Sequence, residues 1–209
     1  MMHILILGLP VLSYLLGAIP WGLVFTRMFT SVDIRDQGSG NIGATNVSRV
    51  AGYPLGILTF SGDLLKGAVP AFVAIHLIPA HGWQADAYWV LVALASFFGH
   101  LYPIYTKFKG GGKGVATAAG SFAVLAPLGC LTAVLVFILL ALLTHRVSAG
   151  SLGAAICLPF SVWFSSRSLF LSGGAAAIAL LIFIRHADNI KRLLAGTEPE
   201  FKSRPPRDG

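Results

Sequence analysis

Charge is scarce in this sequence: 11% of its 209 residues are Asp, Glu, Lys or Arg, and only eight of those are acidic. A soluble domain carries roughly twice that charged fraction. A chain that is 56% hydrophobic also exceeds what one water-surrounded core of this size can bury. A soluble fold is thereby excluded, and lipid must cover much of the surface. The few carboxylates form no metal-binding motif, so neither metal nor cofactor is expected. Only two cysteines occur, Cys130 and Cys157, both inside apolar runs with no CxxC or Cys/His pairing. They read as core filler and exclude a thiolate metal site or redox motif. The first 20 residues hold no Lys or Arg, and no A-x-A-like site follows. An uncleaved first span is expected instead of a signal peptide.

What is present is a series of apolar segments, consistent with a mean hydropathy of +0.78. They run from His3 to Phe25, Tyr53 to Pro79, Tyr88 to Tyr105, Leu128 to Thr144, Ser148 to Phe164 and Leu169 to Ile184. Each approaches the roughly 20 residues that cross a bilayer as helix. A shorter piece, Val115 to Ala126, precedes Pro127. Basic residues punctuate the segments: Arg27, Arg35 and Arg49, then Lys107, Lys109 and Lys113, then Arg146, then the tail from Arg185 to Arg207. The net charge of +7 is therefore read as a topology signal and a set of anion ligands, not as a nucleic-acid surface. Placing the basic loops on the cytoplasmic side requires two crossings between Lys113 and Arg146, despite Arg167 breaking the pattern. The expectation is an all-α polytopic membrane protein of about seven transmembrane helices, N-terminus outside and C-terminus cytoplasmic. Residues 1–195 form one membrane domain and 196–209 a polar basic tail.

All the polar motifs then share one side. Residues 36–49 read D-Q-G-S-G-N-I-G-A-T-N-V-S-R. Gly38, Gly40 and Gly43 permit turns that bring backbone N–H groups close to a ligand. Ser39, Asn41, Thr45 and Asn46 add neutral hydrogen-bonding groups, and Arg49 can chelate a phosphate. The formal G-x-G-x-x-G here, with Asp63 20 residues beyond, is no dinucleotide fingerprint, because membrane helices and not a βαβ unit flank it. Residues 105–117 read Y-T-K-F-K-G-G-G-K-G-V-A-T. Gly110, Gly111 and Gly112 leave the backbone free to wrap an anion between Lys109 and Lys113. Gly114 follows the second lysine where a Walker loop needs Ser or Thr, which excludes one. His100 lies just upstream in G-H-L-Y-P. Asp63 and Lys66 share a helix face inside an apolar segment, as a structural pair or as support for a site. Ser148 and Ser151 follow Arg146 at a helix start, where a cap or an anion site is possible. His186 and Asn189, in R-H-A-D-N-I-K-R-L-L, are three apart on a helical face. The H-x-x-x-x-D of His81 to Asp86, an acyltransferase signature elsewhere, falls in a connection assigned to the outer face and is set aside.

The three motif groups together resemble the PlsY family, bacterial acyl-phosphate:glycerol-3-phosphate acyltransferases: G-S-G-N-I-G-A-T-N with Arg49, G-H-L-Y-P with F-K-G-G-G-K-G-V-A-T, and R-H-A-D-N-I-K-R-L-L. The family usually has F-K-G-G-K-G, so this chain carries an extra glycine. The resemblance implies a compact seven-helix bundle in the bacterial cytoplasmic (inner) membrane. It implies acyl phosphate and glycerol 3-phosphate as substrates, and a functional link to an acyl-phosphate-forming enzyme. It implies catalytic roles for Ser39, Arg49, Lys109, Ser148, His186 and Asn189. Gly38, Gly40, Asn41, Gly43, Thr45, Asn46, Gly110, Gly111, Gly112 and Lys113 would bind substrate phosphate, with Lys66 and His100 supporting. Absent a Ser-His-Asp or Cys-His arrangement, direct attack by the substrate hydroxyl is expected, without an acyl-enzyme. A phosphate-ester transporter is the rival, but polar broken helices in repeated halves are not evident.

Overall fold

The computed structural model describes residues 2–79 and 82–201, and within them every regular element is helical. His81, like Lys202, Arg204 and Arg207 of the tail, lies outside the described residues. The helices are α1 (Met2–Gly17), α2 (Trp21–Phe29), α3 (Ala44–Ala51), α4 (Tyr53–Leu77), α5 (Trp83–Leu101), α6 (Val115–Leu125), α7 (Pro127–Thr144), α8 (Val147–Ser166), α9 (Leu169–Arg185) and α10 (Ala187–Leu194).

Four of them, α4, α5, α7 and α8, are long and apolar enough to cross a membrane. The first expected span is instead two helices, α1 and α2, bent by 43° at the break before Trp21. The last continues through a 63° bend from α9 into α10. Counting each bent pair once gives up to six candidate spans among the described residues. The seventh expected span is α6, whose 11 residues reach only about 16 Å, half of the hydrocarbon thickness. Pro127 enforces its end, since the residue before a proline is pushed out of helical geometry: Ala126 sits at φ −148° and starts α7 as its cap.

The outer surface confirms the solvent that composition demanded. On α7, Leu128, Leu131, Leu135, Leu139 and Leu142 form a stripe, each more than half exposed. Such a face is stable only against lipid. Helix contacts inside rely on small residues, as expected where apolar burial cannot drive association. A Cβ on Gly67 of α4 would lie 2.1 Å from Thr117 O of α6, and one on Gly120 of α6 would lie 2.0 Å from Leu64 O of α4. The same reciprocity joins α1 to α5 through Gly17 and Gly99, and Gly150 of α8 abuts Phe137 O of α7. Glycine at these positions lets the backbones touch.

The buried charges Asp63 and Lys66 are paired. Lys66 is 2% exposed, and its Nζ lies 2.8 Å from Asp63 Oδ1 and donates to Ile19 O at 3.0 Å. Ser96 Oγ donates to Lys66 O. This network ties α4 to α5 and to the α1–α2 break.

Candidate functional site

Four helices begin at one end of the bundle around a shared cavity of about 750 Å³. Gly43, Ala44 and Thr45 line it from the start of α3, Gly114 and Val115 from the start of α6, and Val147 and Ser148 from the start of α8. His186 and Asn189 line it from the α9–α10 bend. Helix N-termini carry unpaired N–H groups and the positive end of the peptide dipoles. Converged on one cavity, they favour an anion before any side-chain charge is counted.

The glycine loop is shaped by its asparagines. Asn46 Oδ1 accepts from Ser39 N at 2.9 Å, while Nδ2 faces the carbonyls of Gln37 and Asn41 at 3.0 Å and of Ile34 at 3.3 Å. Asn41 Oδ1 accepts from Gly43 N at 2.9 Å. Asn46 is thus committed to the loop backbone at both ends of its amide, and Asn41 through its oxygen. Gly38 holds φ +61°, and a Cβ there would strike Asn46 Oδ1 at 2.3 Å. Ser39, Thr45 and Arg49 line the cavity together with Gly38, Asn41, Gly43 and Asn46. Gly40 adopts φ +67° beside Arg35 O and shapes the turn without lining the cavity.

The lysine loop is turned inward at one end and outward at the other. Gly112 N donates to His100 O at 3.1 Å. Arg185 Nε donates to Gly112 O at 3.1 Å and its guanidinium also to Gly111 O at 2.5 Å. A side chain at Gly112 would meet the His100 ring at 2.0 Å, so only glycine fits. Clamped there, the chain delivers half-buried Lys113 to the cavity. Lys109 is exposed, its carbonyl taken by Thr106 Oγ1 at 2.5 Å. Of the two lysines, Lys113 faces the cavity and Lys109, expected to be catalytic, stands outside it. Gly110, Gly111 and Gly112 act as the hinge and do not line the wall. Lys66 is fully engaged by Asp63 and Ile19 and lies beneath it. Asp63 and His100 do reach the cavity floor, with His100 Nδ1 3.5 Å from Asp63 Oδ1 and making no hydrogen bond among the described residues.

Unsatisfied donors point to an anionic ligand. Arg49 Nε and Ser148 Oγ are buried with no partner at hydrogen-bond geometry among the described residues, a situation that native interiors rarely leave uncompensated. Lys113 Nζ donates to Asn189 Oδ1 at 2.5 Å. Burial lowers its pKa to about 8, with Arg192, Arg49 and Arg185 adding repulsion and Glu198 opposing the fall. His186 Nδ1 meets Ile182 O at 2.8 Å. A carbonyl only accepts, so the proton sits on Nδ1 and Nε2 remains the ring's acceptor.

Two charged wall residues lay outside the sequence expectation: Arg192 of α10 and Glu198 beyond it. The chain after Gly196 doubles back over the site, with Arg146 donating to the carbonyls of Gly196 and Glu198 and Arg49 to those of Pro199 and Glu200. Burial opposes the Glu198 charge, but donors from Asn189 and Arg192 and the nearby Ser148 hydroxyl outweigh it and hold the carboxyl below its ordinary range. The sequence signal was a lone acid between Gly196 and Pro199 in a basic tail. At the other end of the bundle, Asp86 accepts from Ser168 Oγ at 2.5 Å, a tie between α5 and the cap of α9 that is remote from the cavity.

Comparison with known proteins agrees with this geometry. A family model described as glycerol-3-phosphate acyltransferase matches residues 7–196. A glycerol-3-phosphate acyltransferase from Syntrophotalea carbinolica is 52% identical over 191 residues, 91% of this chain and 95% of that protein. The fold is similar to crystal structures of PlsY, an integral membrane glycerol 3-phosphate acyltransferase. The glycerol 3-phosphate form gives a TM-score of 0.87 and the lysophosphatidic acid form 0.85. Both are 38% identical, with 93% of this chain and 94% of theirs covered.

Proposed function

The chain belongs to the glycerol-3-phosphate acyltransferase family, and from that premise we propose that it acylates the 1-hydroxyl of glycerol 3-phosphate with acyl phosphate as donor. The observation that carries this reading is the shared cavity where four helix starts meet Arg49, Lys113 and Arg192, with Arg49 Nε a buried donor that has no hydrogen-bond partner among the described residues. An acceptor phosphate and a donor phosphate need such a surface. Phe60 and Phe137 line the same cavity, and Phe60 is 48% exposed on the membrane-facing surface of α4. The acyl chain enters there, past the short α6, which packs against both α4 and α7.

In the reaction, the glycerol oxygen attacks the carbonyl carbon, the new ester C–O bond forms, and the bond from that carbon to the phosphate oxygen breaks. Phosphate departs with the negative charge. Ser148 and the N–H groups opening α8 hold the donor phosphate, Arg49 and Lys113 hold glycerol 3-phosphate, and His186 Nε2 accepts the hydroxyl proton. Effective positioning and stabilisation of developing charge supply the rate. The carbonyl is already activated by its phosphate, so no acyl-enzyme is required. The basic connections at this end of the bundle support a cytoplasmic face in the bacterial inner membrane, the side on which an acyl-phosphate-forming enzyme would supply the donor.

The test is acyl transfer by the purified protein in lipid, given glycerol 3-phosphate with acyl phosphate, acyl-CoA or acyl-carrier protein in parallel. Lysophosphatidate and released phosphate from acyl phosphate alone are expected. Product from a thioester alone would overturn the donor assignment, and no product from any donor in folded protein would overturn the reaction.

A further inference from the structure

The carboxylate of Glu198 is buried in a cavity built for anions, which demands a reason. Its Oε1 accepts from Asn189 Nδ2 at 2.6 Å and its Oε2 from Arg192 Nε at 2.7 Å. Asn189 in turn presents Oδ1 to Lys113 Nζ at 2.5 Å. An amide rotated by 180° would offer NH₂ to an ammonium and a carbonyl to a carboxylate, both repulsive. Glu198 therefore fixes which end of Asn189 faces Lys113. It also orders Arg192 on the same wall. The backbone around it is tethered at several points: Arg146 Nε donates to Glu198 O at 3.0 Å, Arg49 to Pro199 O at 3.3 Å, and Phe201 N to His145 O at 3.0 Å.

We infer that Glu198 is a positioning residue for the phosphate site, holding the Lys113 ammonium on the cavity wall through Asn189 and aligning Arg192 beside it. This rests on the reading of the cavity as the place where substrate phosphate binds. The charges that face Lys113 are Arg49 from α3, Arg185 from the end of α9, Arg192 from α10 and Glu198 from the returning chain, with His186 at the helix bend also within its field. Three arginines disfavour the ammonium, and Glu198 is the largest influence that favours it. A carboxylate here thus makes a phosphate-binding lysine sustainable at neutral pH, while its own oxygens are occupied by Asn189 and Arg192.

The experiment compares wild type, Glu198→Gln, Lys113→Met and the double variant in lipid or detergent, with two readouts across pH 6–10. One is kcat/KM for acyl transfer. The other is thermal stabilisation by sulfate, a tetrahedral dianion that does not titrate in this range; Lys113→Met reports the generic salt effect. Glu198→Gln is expected to lower kcat/KM at pH 7 by about tenfold and to move the alkaline midpoint of both readouts to lower pH. In the Lys113→Met background the same substitution is expected to cost clearly less than in wild type, about threefold, because the part that runs through Lys113 is gone and only the alignment of Arg192 remains to be lost. An unchanged midpoint in Glu198→Gln, or an equal loss in both backgrounds, would overturn the inference and leave a merely structural residue. Glu198→Asp, shorter by one methylene, keeps the charge and is expected to restore the midpoint in part. If wild type shows no acyl transfer yet the sulfate midpoint still shifts with Glu198→Gln, the functional reading fails while the positioning role stands.

Discussion

Replacing Lys113 by Met should stabilise the fold while disabling the enzyme, and the size of both effects follows from the site. Burial and three arginines lower the Lys113 pKa from 10.5 to about 8, which corresponds to about 3 kcal/mol of unfavourable ammonium burial at 1.36 kcal/mol per pKa unit. Methionine removes that cost and retains most of the side-chain volume. Against it stands the loss of the hydrogen bond to Asn189 Oδ1, about 1–2 kcal/mol for a charged partner. The net gain is about 1–2 kcal/mol, or roughly 2–8 °C in Tm for a chain of this size. Because the folded-state value lies below that of the unfolded chain, the unfolded chain holds more protons between about pH 8 and 10.5. Wild-type stability therefore rises through that window, and the advantage of the variant shrinks as it does. Activity moves the other way. A preorganised cation in a water-poor site contributes about 10²–10³ in rate, so kcat/KM should fall by that factor. In wild type it should decline above about pH 8 as Lys113 loses its proton. Thermal denaturation in detergent at pH 7 and pH 10, alongside acyl-transfer kinetics, tests both arms. A variant that is less stable than wild type at pH 7, or one that keeps a tenth of the activity, would refute the reasoning.

Lys109→Ala should leave kcat/KM within about threefold of wild type, since its exposed side chain does not line the cavity and has no transition-state interaction to lose; a hundredfold loss in steady-state kinetics would return that lysine to the site. Gly120→Val should lower Tm by roughly 6–12 °C, about 3 kcal/mol, because a Cβ there meets Leu64 O at 2.0 Å and forces α4 and α6 apart. Gly8→Val is the control, as a Cβ at Gly8 meets nothing within 4 Å, and its Tm should stay within about 2 °C.

The helical class and the grouping of motifs were legible because lipid imposes them: long apolar runs have few alternatives, and basic residues mark their ends. The precise bends were not. The break at Ala18–Pro20 interrupts an apolar run whose hydropathy carries no sign of it beyond one proline, and α9 passes into α10 through His186 with no helix breaker at all. Motif membership also said little about direction. In the run from Lys109 to Lys113, glycines free the backbone, so either lysine was able to face the ligand; the decision came from Arg185 and His100, distant residues that clamp Gly111 and Gly112. Arg185 itself had been counted only as a topology signal. Asn46 read as a substrate ligand; it does line the cavity, but both ends of its amide are spent on the loop backbone, since an amide beside three carbonyls satisfies backbone first. Glu198 was hidden for the opposite reason. A polar basic tail reads as solvated, and nothing local indicates that six of its residues return to the bundle.

The short α6 links these features. A helix of about 16 Å cannot cross the hydrocarbon, so one end of it must lie within the bundle. Here that end is its start, where Gly114 sits at φ +81° against the Phe97 ring and Lys113 joins the cavity. Close glycine packing fixes α6 against α4, beside the buried Asp63–Lys66 pair that anchors the floor. The result is a cationic, dipole-rich surface sharing one cavity with Phe60 and Phe137, which belong to lipid-facing helices. A full-length span at this place would separate the two environments. A truncated one brings a cationic surface and apolar side chains of lipid-facing helices into a single cavity, which is what the proposed transfer of an acyl chain to a polar acceptor requires.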